Sequence, residues 1–125
     1  MKGVDISEYN DIGFQDFLNI KDAGYEFVII RLGFGTHTMD EKFLDHYENA
    51  KRAGLRISVY HFSEALDPET AVVEAKFVRD TLEKYGIGCE RIWLDMENST
   101  WKEKNEFDYS REHVTAICKA FLDEL

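Results

Sequence analysis

An α/β fold of parallel strands alternating with amphipathic helices is predicted, and three observations carry the prediction. Apolar runs of strand length alternate with segments of helical period along the whole 125-residue chain. Two helix-to-strand junctions repeat thirty residues apart: Lys21-Asp22-Ala23-Gly24 precedes a strand ending at Arg31, and Lys51-Arg52-Ala53-Gly54 precedes one reaching His61. That offset is about one strand-plus-helix unit, the repeat of right-handed β-α-β crossovers. The runs at 27–30 and 92–94 are apolar at successive positions, which suits strands covered by helices on both faces. A closed barrel of eight such units needs about 200 residues or more. The expected architecture is therefore a partial or distorted TIM-like (β/α) barrel with about four to five β-α units present.

Each element has its own signal. Gly3-Val4-Asp5-Ile6-Ser7 alternates apolar and polar residues, as a short first strand does. Phe14, Phe17, Leu18 and Lys21 fall on one helical stripe that ends at Gly24, a C-cap glycine. The β-branched run from Phe27 to Leu32 reads as a buried strand. A second helix begins near Asp40, aligns Phe43, Leu44, Tyr47 and Ala50, and stops at Gly54; Ile57 to Phe62 follows as a strand. Asp67-Pro68 is a helix start, with aspartate as N-cap and proline in the first turn. That helix holds Ala71, Ala75, Val78, Leu82 and Tyr85 on one face until Gly86. A strand from Ile92 to Asn98 comes next. A last helix, capped near Ser110, aligns Val114, Ile117, Cys118, Phe121, Leu122 and Leu125.

By length the chain is one domain, 1–125, and 44% hydrophobic residues with 32% charged and a single proline is the composition of a folded protein. The formal net charge of -10 argues against a nucleic-acid partner, because phosphate binding needs clustered Lys and Arg. No charged-then-apolar leader and no run of about twenty apolar residues is present, so neither a signal peptide nor a membrane span is expected and the export route is not visible. Cys89 and Cys118 follow no C-x-x-C or metal-ligand spacing. They are expected as small buried hydrophobes, with a disulfide as the alternative.

The chemistry-bearing stretch is Ile92-Trp93-Leu94-Asp95-Met96-Glu97-Asn98. On a strand, side chains two apart share a face, which would aim Asp95 and Glu97 to one side and Met96 to the other. Function in helix-covered parallel sheets sits at the carboxyl ends of the strands, where this pair falls. Two neighbouring acids suit general acid/base work, one carboxyl giving a proton while the other stays ionised. Residues two apart on a strand have α-carbons about 6.5 Å apart, which fixes no single carboxylate separation once side chains swing.

The motifs in register resemble those of the glycoside hydrolase family 25 muramidases, also called Chalaropsis-type lysozymes. The likeness runs through Gly3-Val4-Asp5-Ile6-Ser7; Arg31-Leu32-Gly33-Phe34-Gly35-Thr36 with Asp40 and Phe43; Ala50-Lys51-Arg52-Ala53-Gly54-Leu55; Tyr60-His61-Phe62; and Leu94-Asp95-Met96-Glu97. It implies a distorted β/α barrel and cleavage of the β-1,4 bond between N-acetylmuramic acid and N-acetylglucosamine in bacterial peptidoglycan, with no cofactor and no metal. By position, Glu97 is expected as the general acid/base, with Asp95 and Asp5 as its acidic companions. The resemblance suggests that the substrate's 2-acetamido group assists and that Asp95 positions it. Tyr60, Trp101, Phe62 and Arg31 are the substrate-contact candidates, although aromatics at this spacing, Trp93 among them, are more often core and Arg31 by default pairs with internal carboxylates.

His46 stands where the family commonly has asparagine, and Ser58 where it commonly has glycine. Family domains also continue into further strands bearing a tryptophan-glutamine motif and another acid, so the chain is expected to lack the domain's C-terminal strands. The open sheet edge this leaves allows for a homodimer. The expected partner is cell-wall peptidoglycan, met outside the cell or in the wall. Two other readings stand beside this one: a metal-dependent barrel hydrolase with Asp5, His61, Asp95 and Glu97 as ligands, and a non-catalytic peptidoglycan-binding remnant.

Overall fold

Strand and helix alternate in the computed structural model, which describes residues 2–97 and 110–125. The order is β1 (Gly3–Ile6), α1 (Phe14–Asp22), β2 (Phe27–Phe34), β3 (Thr38–Met39), α2 (Phe43–Arg52), β4 (Arg56–Phe62), α3 (Pro68–Lys84), β5 (Ile92–Asp95) and α4 (Arg111–Glu124). The strands form one sheet in the order β1-β2-β4-β5, with β3 pairing β2 beside that path. β1 and β2 are parallel, with Gly3 opposite Phe27 and Asp5 opposite Ile29. Between β4 and β5 the partners advance together, Val59 N–H donating to the Arg91 carbonyl at 3.0 Å and Ser63 N–H to the Asp95 carbonyl at 2.9 Å, so this pair is parallel as well. The result is an open, partial (β/α) barrel.

The thirty-residue repeat has a physical cause in two matching helix ends. Gly24 and Gly54 take φ of 96° and 81°, a left-handed conformation that costs glycine little. After α1, Gly24 N–H donates to the Lys21 carbonyl and Tyr25 N–H to the Ile20 carbonyl; after α2, Gly54 and Leu55 bond Lys51 and Ala50 in the same way. These are Schellman motifs, which satisfy the last carbonyls of a helix and turn the chain into the next strand.

The chain divides into two compact units, Met1–Gly33 with Met39–His61 and Gly88–Trp93, and Phe34–Thr38 with Phe62–Ile87 and Leu94–Leu125. In the first, Val28, Ile30, Leu32 and Val59 are fully buried with Phe17 of α1 and Phe43 of α2. The Phe17 ring lies 5.8 Å from that of His46. In the second, α3 packs on α4. Ala71, Ala75 and Val78 of α3 and Ile117 and Phe121 of α4 are fully buried there. Arg79 also donates to the Glu124 carbonyl at 3.0 Å.

Four expectations need correction. β3 is an addition to the expected elements, because two residues carry no periodic signal. β5 stops at Asp95 instead of running to Asn98, so strand alternation does not place Glu97, which follows the strand. Trp93, expected in a strand covered on both faces, is 47% exposed because β5 ends the strand order. Leu122 of α4 and Leu125, which caps its end, leave the expected apolar stripe and are exposed. Cys89 and Cys118 are free and half-buried. Burial pushes both thiols up, which keeps them from acting as ready thiolates.

Candidate active site

In the first unit the site is built on β1 and β2. Asp5 lies exposed on β1, and the register that sets it beside Ile29 puts it on the same face as Arg31, two residues further along β2. Arg31 is buried by an ion-pair network: its Nη2 meets Glu8 Oε1 at 2.8 Å and its Nε meets Asp40 Oδ2 at 2.9 Å. Burial pulls the Arg31 pKa down, but the hydrogen bond to Asp40 and the charges of Asp40, Tyr60 and Glu8 outweigh it and leave the guanidinium above its ordinary value. Asp40 also accepts the Glu8 and Lys42 amides, both at 2.9 Å, so one carboxylate ties the turn after β1 to β2 and to the start of α2. Arg31 is thus held by internal carboxylates, its default role.

Tyr60 is half-buried on β4, within electrostatic reach of Arg31. His61, one residue on, points to the opposite face and is fully buried. That alternation removes it from the face carrying Asp5 and Arg31. Among the described residues no three His, Cys, Asp or Glu side chains gather where they could hold a metal ion, so the four ligands of the metal-hydrolase reading do not form such a set. Toward the amino-terminal ends of the strands, a cavity of about 200 Å³ is lined by Phe27, Ile29, Arg56, Ser58, Glu90, Arg91 and Trp93. It lies away from the carboxyl ends where catalytic groups are carried on such sheets.

In the second unit, Asp95 ends β5 half-buried and Glu97 is exposed two residues later. The backbone of Asp95 is pinned through its carbonyl to Ser63. Ser63 in turn donates its hydroxyl to Glu74 Oε1 at 2.6 Å, and Glu64 N–H donates to Glu74 Oε2 at 2.9 Å. Phe62, at the end of β4, is half-buried. Trp101 lies outside the described residues.

Sequence reasoning missed Glu8, Ser63 and Glu74. Glu74 had a signal: it sits inside the apolar stripe of α3, three residues after Ala71 and four before Val78, and a charge there needs a buried partner. Glu8 and Ser63 had none, because their roles depend on segments distant in sequence.

An open, partial (β/α) barrel with acids at and just beyond the carboxyl ends of its strands is the class of fold the chain presents. The family model for Glycosyl hydrolases family 25 matches residues 4–125, and the chain belongs to this family. It is 37% identical over 97 residues to the autolytic lysozyme of Clostridium acetobutylicum, covering 78% of this chain and 28% of that protein. It is 30% identical over 122 residues to the probable GH family 25 lysozyme 2 of Dictyostelium discoideum, covering 96% of this chain and 56% of that one. Among solved structures, a family GH25 lysozyme from Aspergillus fumigatus superposes with a TM-score of 0.73 at 27% identity, covering 98% of this chain and 57% of that chain. The chain thus spans little more than half the length of these relatives, and less of some.

Proposed function

We propose that the chain carries the acid pair of a peptidoglycan hydrolase, an N-acetylmuramidase cleaving the β-1,4 bond between N-acetylmuramic acid and N-acetylglucosamine. The observation that carries the reading is the placement of Asp95 and Glu97 at and beyond the carboxyl end of β5, in a chain matching the family over residues 4–125. Relatives named as lysozymes support it. Glu97 gives its proton to the leaving glycosidic oxygen; Asp95, ionised, offsets the positive charge that develops on the sugar and positions its 2-acetamido group; Asp5 is the third acid. Tyr60 and Phe62 face the glycan, with Trp101 as a further contact, while Arg31 holds the framework. The whole of 1–125 belongs to one catalytic domain. Among the described residues β1 and β5 end the strand order, and a second copy would pair along such an edge. Work on peptidoglycan places the protein outside the cell or in the wall.

The test is clearing of a bacterial cell-wall suspension by the parent and by Glu97→Gln, with circular dichroism to confirm that both are folded. The parent clears the suspension and the variant does not. Equal clearing by both removes Glu97 from its role, and wall binding by the parent without release of reducing ends selects a non-catalytic binding remnant instead.

A further inference from the structure

Tyr9 is 82% exposed although the turn that carries it is firmly held. Asn10 Oδ1 accepts the Ser7 amide at 2.9 Å and Ser7 Oγ accepts the Tyr9 amide at 3.3 Å. Asn10 N–H donates to the Ser7 carbonyl at 2.9 Å, and Glu8 is anchored through both its amide and its carboxylate to Asp40 and Arg31. The Arg31 guanidinium lies 5.3 Å from the Tyr9 ring centroid, which orients the ring and leaves its other face to water. An aromatic ring is costly to display: its burial is among the largest favourable terms a side chain offers, and a cation over an exposed ring returns only part of that. An open aromatic face on a held turn is what a flat apolar partner requires, because the loop does not have to be ordered at the moment of binding. The place is also informative. Tyr9 follows the carboxyl end of β1, four residues after Asp5, above the face shared by Asp5 and Arg31.

We propose that Tyr9 is a sugar-stacking platform, its open face packing against the C–H face of an N-acetylhexosamine ring in a glycan strand. The assignment rests on the glycan-directed reading of the site. It adds a residue that binds ligand without taking part in proton transfer, and it gives Arg31 a second task as the support beneath the ring.

Calorimetric titration with an N-acetylglucosamine tetramer tests it on the parent, Tyr9→Ala, Tyr9→Leu and Tyr9→Phe. Stacking predicts that Tyr9→Phe binds like the parent while Tyr9→Ala and Tyr9→Leu each bind about three- to tenfold more weakly. Melting temperatures stay close to the parent's, because the side chain is exposed. The leucine variant separates a platform from a mere cover over Arg31, since leucine shields the ion pairs but offers no flat ring. Parent-like binding by Tyr9→Leu or Tyr9→Ala overturns the proposal and leaves the glycan reading standing. Absence of saturable binding by the parent overturns both.

Discussion

Glu74, fully buried in α3, accepts the Ser63 hydroxyl at 2.6 Å, and through this bond a helix side chain controls the turn that follows β4. Its second oxygen takes the Glu64 amide at 2.9 Å, and Ser63 Oγ accepts the Ala65 amide at 3.1 Å. Since Ser63 N–H also holds the Asp95 carbonyl at 2.9 Å, the end of β5 depends on a residue outside it.

Truncating that carboxylate strands buried donors. Glu74→Ala is expected to lower stability by about 3 kcal/mol, above the cost of one neutral hydrogen bond because two donors lose a charged acceptor. Glu74→Gln, which keeps an acceptor oxygen, costs about half as much. Urea denaturation measures both, and amide hydrogen exchange at Ser63 and Glu64 shows whether the loss is local to the turn. Unchanged exchange at those two amides would remove Glu74 from its controlling position.

Arg31 and Asp40 make a different kind of pair, side chains nine residues apart in sequence joined at 2.9 Å with almost no solvent access. Arg31→Met leaves the Glu8 and Asp40 carboxylates with a buried deficit and is expected to cost about 3–5 kcal/mol. Replacing both partners by apolar residues often restores such a loss. Here Arg31→Met with Asp40→Leu recovers only part, because Asp40 also serves the Glu8 and Lys42 amides. A double-mutant cycle in denaturant checks this; full recovery would show that those backbone bonds carry no weight.

His46 makes stability fall in acid. It is 1% exposed and neither ring nitrogen has a hydrogen-bond partner among the described residues. Burial, the largest influence, lowers its pKa below the ordinary 6.5, while Asp40, the nearby Asn10 backbone and Asp45 pull it up and Lys42 pushes it down. The unfolded chain therefore binds a proton that the folded chain resists. The stability this contributes is complete above pH 6.5 and is lost as pH falls through the folded value. His46→Leu, close in volume and without a titrating group, is expected to melt higher and with a flatter slope on the acid side of neutrality. Parallel melting curves for parent and variant from pH 7 to 5 would sink this account.

Interactions between chain neighbours are legible in the amino-acid sequence by itself. Asp67 caps α3 by accepting the Thr70 amide at 2.7 Å, Ser110 caps α4 by accepting that of His113 at 3.2 Å, and the two repeated helix ends close on glycines within a few residues of their partners. Such signals lie in spacings of two to four residues, which the backbone alone converts into strand, helix or cap. The same locality makes the Asp95 and Glu97 pair visible as a spacing but misjudges where its strand stops. Tertiary packing decided that Glu74 would be buried while Trp93 was half-exposed, that Arg31 would find Glu8 and Asp40, and that Tyr9 would stand in the open. Burial and charge pairing depend on which distant faces meet, and no window of adjacent residues contains that information.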